Sequence, residues 1–261
     1  MENYVKILGA RGSVPVSGRE YALFGGATTC VLVSLGGQTV LLDAGTGLAH
    51  LSGELLAQPE LTLLLTHGHT DHLLGLSMFP YLFKKGNRLT AYADGNIREG
   101  LTRLISPPLW PLTLDEFPAE VAFHDTAPRF TLGNIEVAAA AGDHPGGVTH
   151  YRLTGDGKSV VFMTDTTIRE EDEALLSFAR GCSLLIIDGQ YSDAEFAARS
   201  HYGHSPWTAA ARFGLACGAE KILITHHDPS HGDGTLLAAE EAVKAIDPRC
   251  SFAREGETID L

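Results

Sequence analysis

The chain has 261 residues, and 44% of them are hydrophobic, which is enough to bury a sizeable core in a single domain over residues 1–261. Its formal net charge is −13 and its pI is near 5.3, so it lacks the excess of positive charge with which proteins bind long nucleic acids. The N-terminus is too short and polar for a signal peptide, no long apolar run occurs, and the four scattered cysteines form no CxxC pair. We therefore expect a cytoplasmic protein without membrane spans, zinc ribbons or a disulfide framework.

The first half of the chain predicts strands separated by glycine-rich turns. Residues 9–15 contain glycines without the Lys-Ser/Thr of a P-loop, which favours a structural turn over a phosphate cradle. Gly36-Gly37 predicts a hairpin, and Asp43 beyond it would either cap a turn or orient a ligand histidine. The proline-rich residues 106–112 predict either a substrate entrance or a packed surface loop. The predicted strands cover 4–8, 31–35, 38–42, 61–66 and 89–93, and the predicted helices cover 54–56, 73–83 and 96–105.

The second half predicts a further series of strands that begins near Val121 and alternates with helices. The stretch between Tyr191 and Tyr202 is predicted to be a polar loop. The later strands are predicted over 130–132, 135–140, 150–153, 159–163, 183–187 and 221–225, and the helices over 170–179, 207–217 and 236–246. The repeated order of strands, polar loop and helix permits an α/β fold in which two mixed sheets pack together with helices outside.

A cluster of metal-binding residue types follows the apolar strand predicted over 61–66. His67, His69, Asp71 and His72 lie within six residues of one another. In an extended segment His67 and His69 point to the same side, whereas the adjacent Asp71 and His72 diverge, so one loop can supply ligands to two ions. Imidazole and carboxylate together are ligands typical of Zn²⁺. The alternative is a chance grouping of histidines in a solvated turn.

Three later side chains stand at similar places, each at the end of a predicted strand. Asp143 and His144 precede a Pro-Gly turn, and either of them could be a further ligand. Asp165 would be a bridging carboxylate, with a simple turn residue as the alternative. His226 directly follows a strand and is preferred over His227, which would then lie behind the ligands.

The segment His67-Gly-His69-Thr-Asp71-His72 resembles the HxHxDH signature of the metallo-β-lactamase fold hydrolases. The resemblance implies a four-layer αββα sandwich and a site with two divalent metal ions, Zn²⁺ first, with Mn²⁺ or iron as alternatives. By that resemblance, the ligands of the first ion would be His67, His69 and His144, those of the second would be Asp71, His72 and His226, and Asp165 would bridge the two.

Within that superfamily, Gly203-His204-Ser205 is similar to a segment of the RNase Z and PhnP-like phosphodiesterase branch. The resemblance implies that His204 contacts the phosphate, that Ser205 assists in binding it, and that Asp71 is a general base as well as a metal ligand. Asp188 would orient His204 or a metal ligand. The resemblance therefore predicts hydrolysis of a small cyclic or nucleotide phosphodiester by a metal-bridging hydroxide, and a homodimer.

Two features of the branch are missing from this sequence. No long basic, glycine-rich arm is visible of the kind with which RNase Z grips tRNA, so we expect neither pre-tRNA nor other long nucleic acid as a partner. The cysteine cluster that builds an additional zinc site in some PhnP enzymes is also missing. The alternatives are a lactone or thioester hydrolase that uses the same two ions, a di-iron oxidoreductase, and a non-catalytic binding protein.

Overall fold

The structure is a computed structural model that describes residues 2–261, with the side chain of Glu54 excepted. The strands are β1 (Tyr4–Gly9), β2 (Cys30–Leu35), β3 (Gln38–Leu42), β4 (Glu60–Leu64), β5 (Arg88–Tyr92), β6 (Glu120–His124), β7 (Arg129–Leu132), β8 (Ile135–Gly142), β9 (Val148–Gly155), β10 (Lys158–Met163), β11 (Leu184–Asp188), β12 (Ile222–Thr225), β13 (Cys250–Phe252) and β14 (Thr258–Asp260). The α-helices are α1 (Gly95–Leu104), α2 (Glu173–Ala179), α3 (Asp193–Arg199), α4 (Trp207–Cys217) and α5 (Asp233–Ile246).

The strands form two mixed sheets of seven strands each. The first has the order β14-β1-β2-β3-β4-β5-β6 and the second has the order β13-β12-β11-β10-β9-β8-β7. Strands β3 to β6 run parallel in the first sheet, and β10 to β13 run parallel in the second. Because parallel strands end at the same edge of a sheet, each sheet collects its loops along one edge, where ligands commonly bind.

Alternating side chains explain why the two sheets pack face to face. In β2, Val31 and Val33 point into a core between the sheets, whereas Leu32 points into a second core on the outer side of the first sheet. On the outer side of the second sheet, α2, α4 and α5 cover a third core that includes Leu175, Phe213 and Val243. The layers are those of the predicted αββα sandwich.

Local turn signals give several of the predicted elements their observed ends. Gly36 and Gly37 adopt φ of 54° and 80°, the left-handed conformation of a tight hairpin, and they join β2 to β3. Helix α4 has the predicted bounds and stops at Gly218, whose φ of 71° forms a left-handed C-cap. None of the helices in the described range is long and apolar enough to cross a membrane.

The helix predicted over 73–83 is wrong. This segment forms two 3₁₀ turns, Leu74–Met78 and Pro80–Phe83, because Pro80 lacks an amide donor and disfavours helical geometry at Phe79. The segment 53–57 is also a 3₁₀ turn rather than an α-helix. All three turns still cover the first sheet, since their apolar side chains contribute to or pack against its outer core.

The structure places one predicted strand and corrects one predicted loop. The strand predicted near Val121 is β6, which pairs in parallel with β5 at the edge of the first sheet. The predicted polar loop after Tyr191 contains α3, whose start is marked by a reciprocal capping box between Ser192 and Glu195. Of the alternatives for residues 106–112, the packed surface loop is observed, since Trp110 packs against the outer core of the first sheet.

Candidate metal centre and catalytic cleft

The seven predicted metal ligands meet at the edge where the parallel strands of both sheets end. The loop after β4 supplies four of them, and the second sheet supplies the rest from the β8–β9 turn and from the residues that follow β10 and β12. Local sequence explains these positions, because each ligand stands where an apolar strand gives way to a polar turn. The seven residues are His67, His69, Asp71, His72, His144, Asp165 and His226.

The first group contains the residues predicted for one ion. His67, His69, His144 and Asp165 each offer a ligand atom within 4.8 Å of all the others. Asp165 Oδ2 lies 3.6 Å from His67 Nε2 and 3.9 Å from His144 Nε2. His144 Nε2 lies 3.2 Å from His69 Nδ1, which is closer than two unpaired imidazole nitrogens approach without a shared cation or proton.

The second group shares Asp165 with the first. Asp71, His72, Asp165 and His226 again have ligand atoms within 4.8 Å of one another. His226 Nε2 lies 3.1 Å from Asp165 Oδ2 and 3.2 Å from Asp71 Oδ2, and His72 Nε2 lies 3.1 Å from Asp165 Oδ1. The position of Asp165 between the two groups matches that of a bridging carboxylate.

Buried imidazole nitrogens without partners test whether this cluster fits metal ions. His67 Nε2 and His72 Nε2 are inaccessible to water, and no described residue meets them with hydrogen-bond geometry, although oxygens of Asp165 lie 3.6 and 3.1 Å away. Both nitrogens face Asp165, and leaving such atoms unsatisfied costs free energy unless another group meets them. Two clusters of imidazole and carboxylate donors around these nitrogens are chemically suited to divalent ions such as Zn²⁺.

Three of the histidines are oriented by hydrogen bonds to Nδ1, the ring nitrogen that faces away from Asp165. His72 Nδ1 donates to Asp43 Oδ2 at 2.7 Å, and Asp43 also accepts from the amide and hydroxyl of Thr66. His67 Nδ1 lies 3.0 Å from Thr66 Oγ1, and His144 Nδ1 donates to the Gly203 carbonyl at 2.8 Å. Of the two alternatives for Asp43, the structure supports the one in which it orients a histidine.

Left-handed backbone conformations turn three of these side chains toward the site. Asp43, Asp165 and His226 have φ of 56°, 51° and 63°, values that residues other than glycine seldom adopt. Each lies directly after its strand or two residues beyond it. A strained conformation of this kind costs about 1–3 kcal/mol per residue and persists only where surrounding contacts hold it in place. Such residues are common at functional sites.

The carboxylates and imidazoles of the cluster strongly shift one another's pKa values. Burial alone would lower the pKa of His226, but Asp165 and Asp71 raise it to about 10, and the same carboxylates with Asp43 raise the pKa of His72 against burial. Burial would raise the pKa of Asp71, yet His72 and His226 hold it far below its usual value. Metal ions bound at these nitrogens would therefore compete with protons, and acid would weaken their binding.

His204 lies beside the cluster with its own carboxylate partner. His204 Nδ1 donates to Asp188 Oδ2 at 2.8 Å, and its ring stacks on His226 with centroids 4.8 Å apart. Asp188 Oδ2 also lies 4.0 Å from His226 Nδ1. The predicted role of Asp188, to orient His204 or a ligand, is thus compatible with contacts to both histidines.

Ser205 does not have the place expected of a substrate-binding residue. Its hydroxyl donates to the Thr166 carbonyl at 2.6 Å and accepts from the Ile168 amide at 2.8 Å, in a fully buried position. With both interactions made inside the protein, the hydroxyl is not free for a ligand. We correct its role to that of a positioning residue, which carries His204 and donates its own amide to Asp188.

His227 and Asp143, which adjoin predicted ligands in the sequence, point away from the cluster. His227 Nε2 donates to the Ala253 carbonyl at 2.8 Å, its ring packs on Phe24 and Phe252, and burial lowers its pKa to about 3. The carboxylate of Asp143 pairs with Arg169 at the surface. Neither residue is part of the two ligand groups.

Five of the seven predicted ligands form the floor of an open cleft of about 770 Å³, namely His69, Asp71, His144, Asp165 and His226. Side chains that sequence reasoning did not select form its walls, namely Ser13, Gln190, Tyr191, Arg199, Tyr202 and Asp228. The Ser13 amide donates to Asp71 Oδ2 at 2.7 Å, so the glycine-rich residues 9–15 support a metal ligand. Nothing in the spacing of these residues marks them, although the capping box of α3 marks the helix that carries Arg199.

A groove of about 890 Å³ lies elsewhere, between β7 to β9 and α2. Its described lining includes three arginines and one glutamate but no histidine or aspartate. Because this groove has no cluster of metal-binding side chains, the smaller cleft above the histidines is the candidate active site.

Comparisons with known proteins agree with this geometry. Residues 38–227 match the family model of the beta-lactamase superfamily domain. The ribonuclease Z of Synechococcus sp. (strain WH7803) is 24% identical over 318 residues, which cover 98% of this chain and 96% of that protein.

Two solved structures show the same fold. The metallo-beta-lactamase fold protein YhfI from Bacillus subtilis superposes with a TM-score of 0.78 at 19% identity, over 100% of both chains. A diphosphatase from the PhnP family superposes with a TM-score of 0.75 at 19% identity, over 99% of this chain and 98% of that one. The predicted metallo-β-lactamase fold is confirmed.

Proposed function

The chain belongs to the beta-lactamase superfamily, and from that premise we propose that it is a dinuclear metal-dependent phosphodiesterase that hydrolyses a small cyclic or nucleotide phosphodiester. The observation that carries the proposal is His204. This histidine is oriented by Asp188, lies in the cleft, and stacks on the ligand histidine His226. A diester hydrolase needs a donor of this kind beside its metal centre.

The roles of the ligand residues follow from the two groups at the floor of the cleft. We propose that His67, His69 and His144 hold one ion, that Asp71, His72 and His226 hold the other, and that Asp165 contacts both. When bound, two divalent ions, Zn²⁺ first with Mn²⁺ or iron as alternatives, would supply Lewis acidity and lower the pKa of water toward neutrality.

The remaining chemistry falls to side chains of this chain. Asp188 accepts from Nδ1 of His204, so Nε2 of the doubly protonated ring is the nitrogen that can donate to a phosphoryl oxygen or to the leaving oxygen. Asp71 keeps its charge because His72 and His226 lower its pKa, and the Ser13 amide fixes one of its oxygens. This ionised carboxylate is suited to binding metal, whereas its role as a general base rests on the family resemblance, because a lowered pKa makes a carboxylate a weaker base.

A small substrate is favoured over a long RNA. Curated relatives are named ribonuclease Z, but their alignment of 318 residues is longer than this chain of 261, so part of those proteins has no counterpart here. The formal net charge of −13 also opposes a polyanion, whose phosphates need many cationic contacts. A homodimer and a single-domain organisation remain predictions, which light scattering and limited proteolysis can check.

The test is metal content together with hydrolysis of bis(p-nitrophenyl) phosphate by the wild type and by His204→Ala. We expect about two ions per chain in both proteins, and a loss of about 100-fold or more in kcat for the variant, as for removal of one general acid. His201→Ala is the matched control, because His201 is exposed and does not line the cleft.

Each other result would count against a defined part of the proposal. Two ions without diester turnover, together with hydrolysis of a lactone or thioester, would replace the diesterase by the alternative hydrolase. Equal activity of His204→Ala and His201→Ala would remove His204 from the chemistry. Failure to bind metal after reconstitution would overturn the whole mechanism.

A further inference from the structure

The outer side of the second sheet is not covered evenly by helices. Helices α2, α4 and α5 pack over β10 to β13, whereas the groove of about 890 Å³ lies over β7, β8 and β9. Val137 and Leu153 point into the core between the sheets, so their neighbours in β8 and β9 point outward into the groove. None of the described residues that line this groove also lines the metal cleft.

The strand register places two arginines on either side of a small residue at the floor of the groove. Ala138 of β8 pairs with Arg129 of β7 on one side and with Arg152 of β9 on the other. Opposite residues of an antiparallel pair have Cβ atoms about 5 Å apart, so the two arginines start about 10 Å apart. Only the methyl group of Ala138 lies between them, which leaves a hollow with cationic sides.

A second row of polar side chains lies beside the first, two residues further along each strand. Glu136 of β8 pairs with Thr131 of β7 and with Thr154 of β9, and all three line the groove. Threonine hydroxyls donate to phosphate oxygens, whereas an ionised glutamate accepts from hydroxyl or amino groups. The floor therefore offers donors to an anion and one acceptor to a neighbouring hydroxyl.

Helix α2 forms the facing wall, and Arg152 fixes the end of this helix. Its Nη1 donates to the carbonyls of Phe178 and Arg180 at 2.8 and 3.1 Å, and its Nη2 donates to Ser159 Oγ at 3.1 Å. These bonds hold Arg180, the C-cap of α2, at the groove. Ser177 lies one helical turn earlier on the same wall and adds a hydroxyl.

Arg129 and Arg180 differ from most arginines of this chain because they have no carboxylate partner. With 32 acidic and 19 basic residues in the chain, eight arginines pair with a carboxylate. Among the described residues, no carboxylate oxygen lies within 4.0 Å of either guanidinium, although Glu136 lines the same groove. Both arginines are exposed, so their charge is available to an anion from solution.

We propose that this groove is a second binding site, separate from the metal cleft, for a small phosphorylated ligand that carries hydroxyl groups, such as a nucleotide or a sugar phosphate. Arg129 and Arg180 bind the phosphate, because guanidinium groups pair well with its oxygens. Glu136 accepts from a hydroxyl of the same ligand. The volume of about 890 Å³ suits such a ligand, since sites for small molecules measure about 300–1,000 Å³.

Hydrogen–deuterium exchange of the metal-loaded protein, followed by mass spectrometry, tests the site because it shows where a ligand binds. The phosphorylated probes are adenosine 5′-monophosphate and glucose 6-phosphate, and adenosine and glucose are their counterparts without phosphate. We expect phosphorylated probes to slow exchange in residues 129–138 and 174–180 of the wild type, and the counterparts to leave these segments unchanged. Protection by only one of the two phosphorylated probes would support the site and identify its ligand class.

Three variants alter the groove in different ways. Arg129→Met and Arg180→Met should each weaken binding by about 10-fold or more when the protection is titrated with ligand, because each removes a charged donor. Ala138→Leu fills the hollow without changing any charge, and it should also reduce the protection. Thermal unfolding confirms that each variant is folded before the affinities are compared.

The matched control is Arg19→Met. Arg19 is also exposed and has no carboxylate within 4.0 Å among the described residues, but it lies in the 3₁₀ turn Arg19–Tyr21 and does not line the groove. This variant should bind the probes as the wild type does.

The location of the protection separates this site from the metal centre. A phosphate bound at the metal centre would protect residues 68–71 of the cleft instead, and that protection should persist in Arg129→Met. No turnover is measured, so the outcome does not depend on diester hydrolysis. Protection confined to the cleft, an equal response to adenosine, or unchanged affinity in Arg129→Met and Arg180→Met would overturn the proposal and leave both arginines as solvated surface charges.

Discussion

At the scale of single residues, hydrogen bonds to the ring nitrogens that face away from Asp165 orient the predicted ligand histidines. Three of the four histidines that face Asp165 with Nε2, namely His72, His67 and His144, are held through Nδ1 by Asp43, Thr66 and the Gly203 carbonyl. These contacts select the tautomer of each ring and aim its free nitrogen. His204 Nδ1 donates to Asp188 in the same way, so the predicted ligand histidines and the proposed donor are oriented by the same kind of hydrogen bond.

Asp43 offers the clearest test of this support. Asp43→Asn removes the charge that accepts from His72 Nδ1 and retains the size of the side chain. We expect metal affinity to fall about 10- to 100-fold while the protein stays folded, measured by competitive metal titration. Asp143→Asn is the control, because this exposed carboxylate adjoins His144 without belonging to the cluster. Equal affinity in the two variants would show that Asp43 only caps its turn.

Gly12 lies so close to His226 that a side chain would not fit there, and this contact rather than the backbone conformation explains the glycine. A Cβ at this position would lie 2.3 Å from His226 Nδ1, so the imidazole would have to move. We expect Gly12→Ala to lower the bound metal from about two ions toward one per chain, measured by elemental analysis. In the control Gly234→Ala nothing lies within 4 Å of the new Cβ, so metal should be retained and α5 stabilised by about 0.5–1 kcal/mol. Full metal content in Gly12→Ala would contradict the packing argument.

At the scale of elements, a buried ion pair fastens α5 to the end of the second sheet. Both carboxylate oxygens of Glu240 accept from Arg254, at 2.9 and 2.8 Å, and Oε1 also accepts from the Phe252 amide. Burial alone would raise the pKa of Glu240, but these hydrogen bonds and the charge of Arg254 lower it to about 2. Folding therefore favours the charged carboxylate.

This shift predicts how the contribution of Glu240 depends on pH. A carboxyl whose pKa is lowered on folding stabilises the protein above its usual pKa of 4.5, and this stabilisation is lost as pH falls toward 2. We expect Glu240→Gln to lower the free energy of unfolding by about 2 kcal/mol at pH 7, with the difference shrinking between pH 4.5 and 2. Denaturant unfolding across that range is the measurement.

Glu241→Gln serves as the control for this experiment, since Glu241 is 77% exposed on the same helix. Its substitution should change the free energy of unfolding by less than about 0.5 kcal/mol at any pH. A pH-independent difference for Glu240→Gln would mean that packing, rather than ionisation, explains its effect.

At the scale of the whole molecule, the metal cluster spans both sheets. The loop after β4 of the first sheet contributes four ligands, and three loops of the second sheet contribute His144, Asp165 and His226. Ions bound there would connect the two layers of the sandwich at one edge. Binding to the folded state alone must then stabilise the fold.

Removal of metal should therefore lower the melting temperature. At a free metal concentration about 100 times Kd, one site adds about 2.7 kcal/mol, or a shift of about 5–10 °C for a chain of this size. Differential scanning calorimetry before and after chelation measures the shift. His67→Ala should show a smaller shift, because one ion has lost a ligand. An unchanged melting temperature after verified removal of metal would mean that the sheets hold the site without the ions.

The sequence by itself determined what depends on near neighbours along the chain. Alternation of apolar residues predicted the strands, Gly36-Gly37 the hairpin, and Gly218 the end of α4, because each signal lies within a few residues of the structure it specifies. The motif from His67 to His72 predicted a metal centre for the same reason. The ends of apolar strands then indicated His144, Asp165 and His226, which the fold brings together.

Only the tertiary structure decided which residues surround that centre. The sequence offered Asp43 two roles, and only the fold shows that it orients His72. Ser13 and Arg199 belong to distant parts of the chain, and no spacing links them to the histidines. The placement of β6 in the first sheet and the inward direction of the Ser205 hydroxyl depend likewise on long-range packing. Local patterns specify local geometry, whereas contacts across the two sheets exist only after the chain has folded, and these contacts give the cleft its charge and shape.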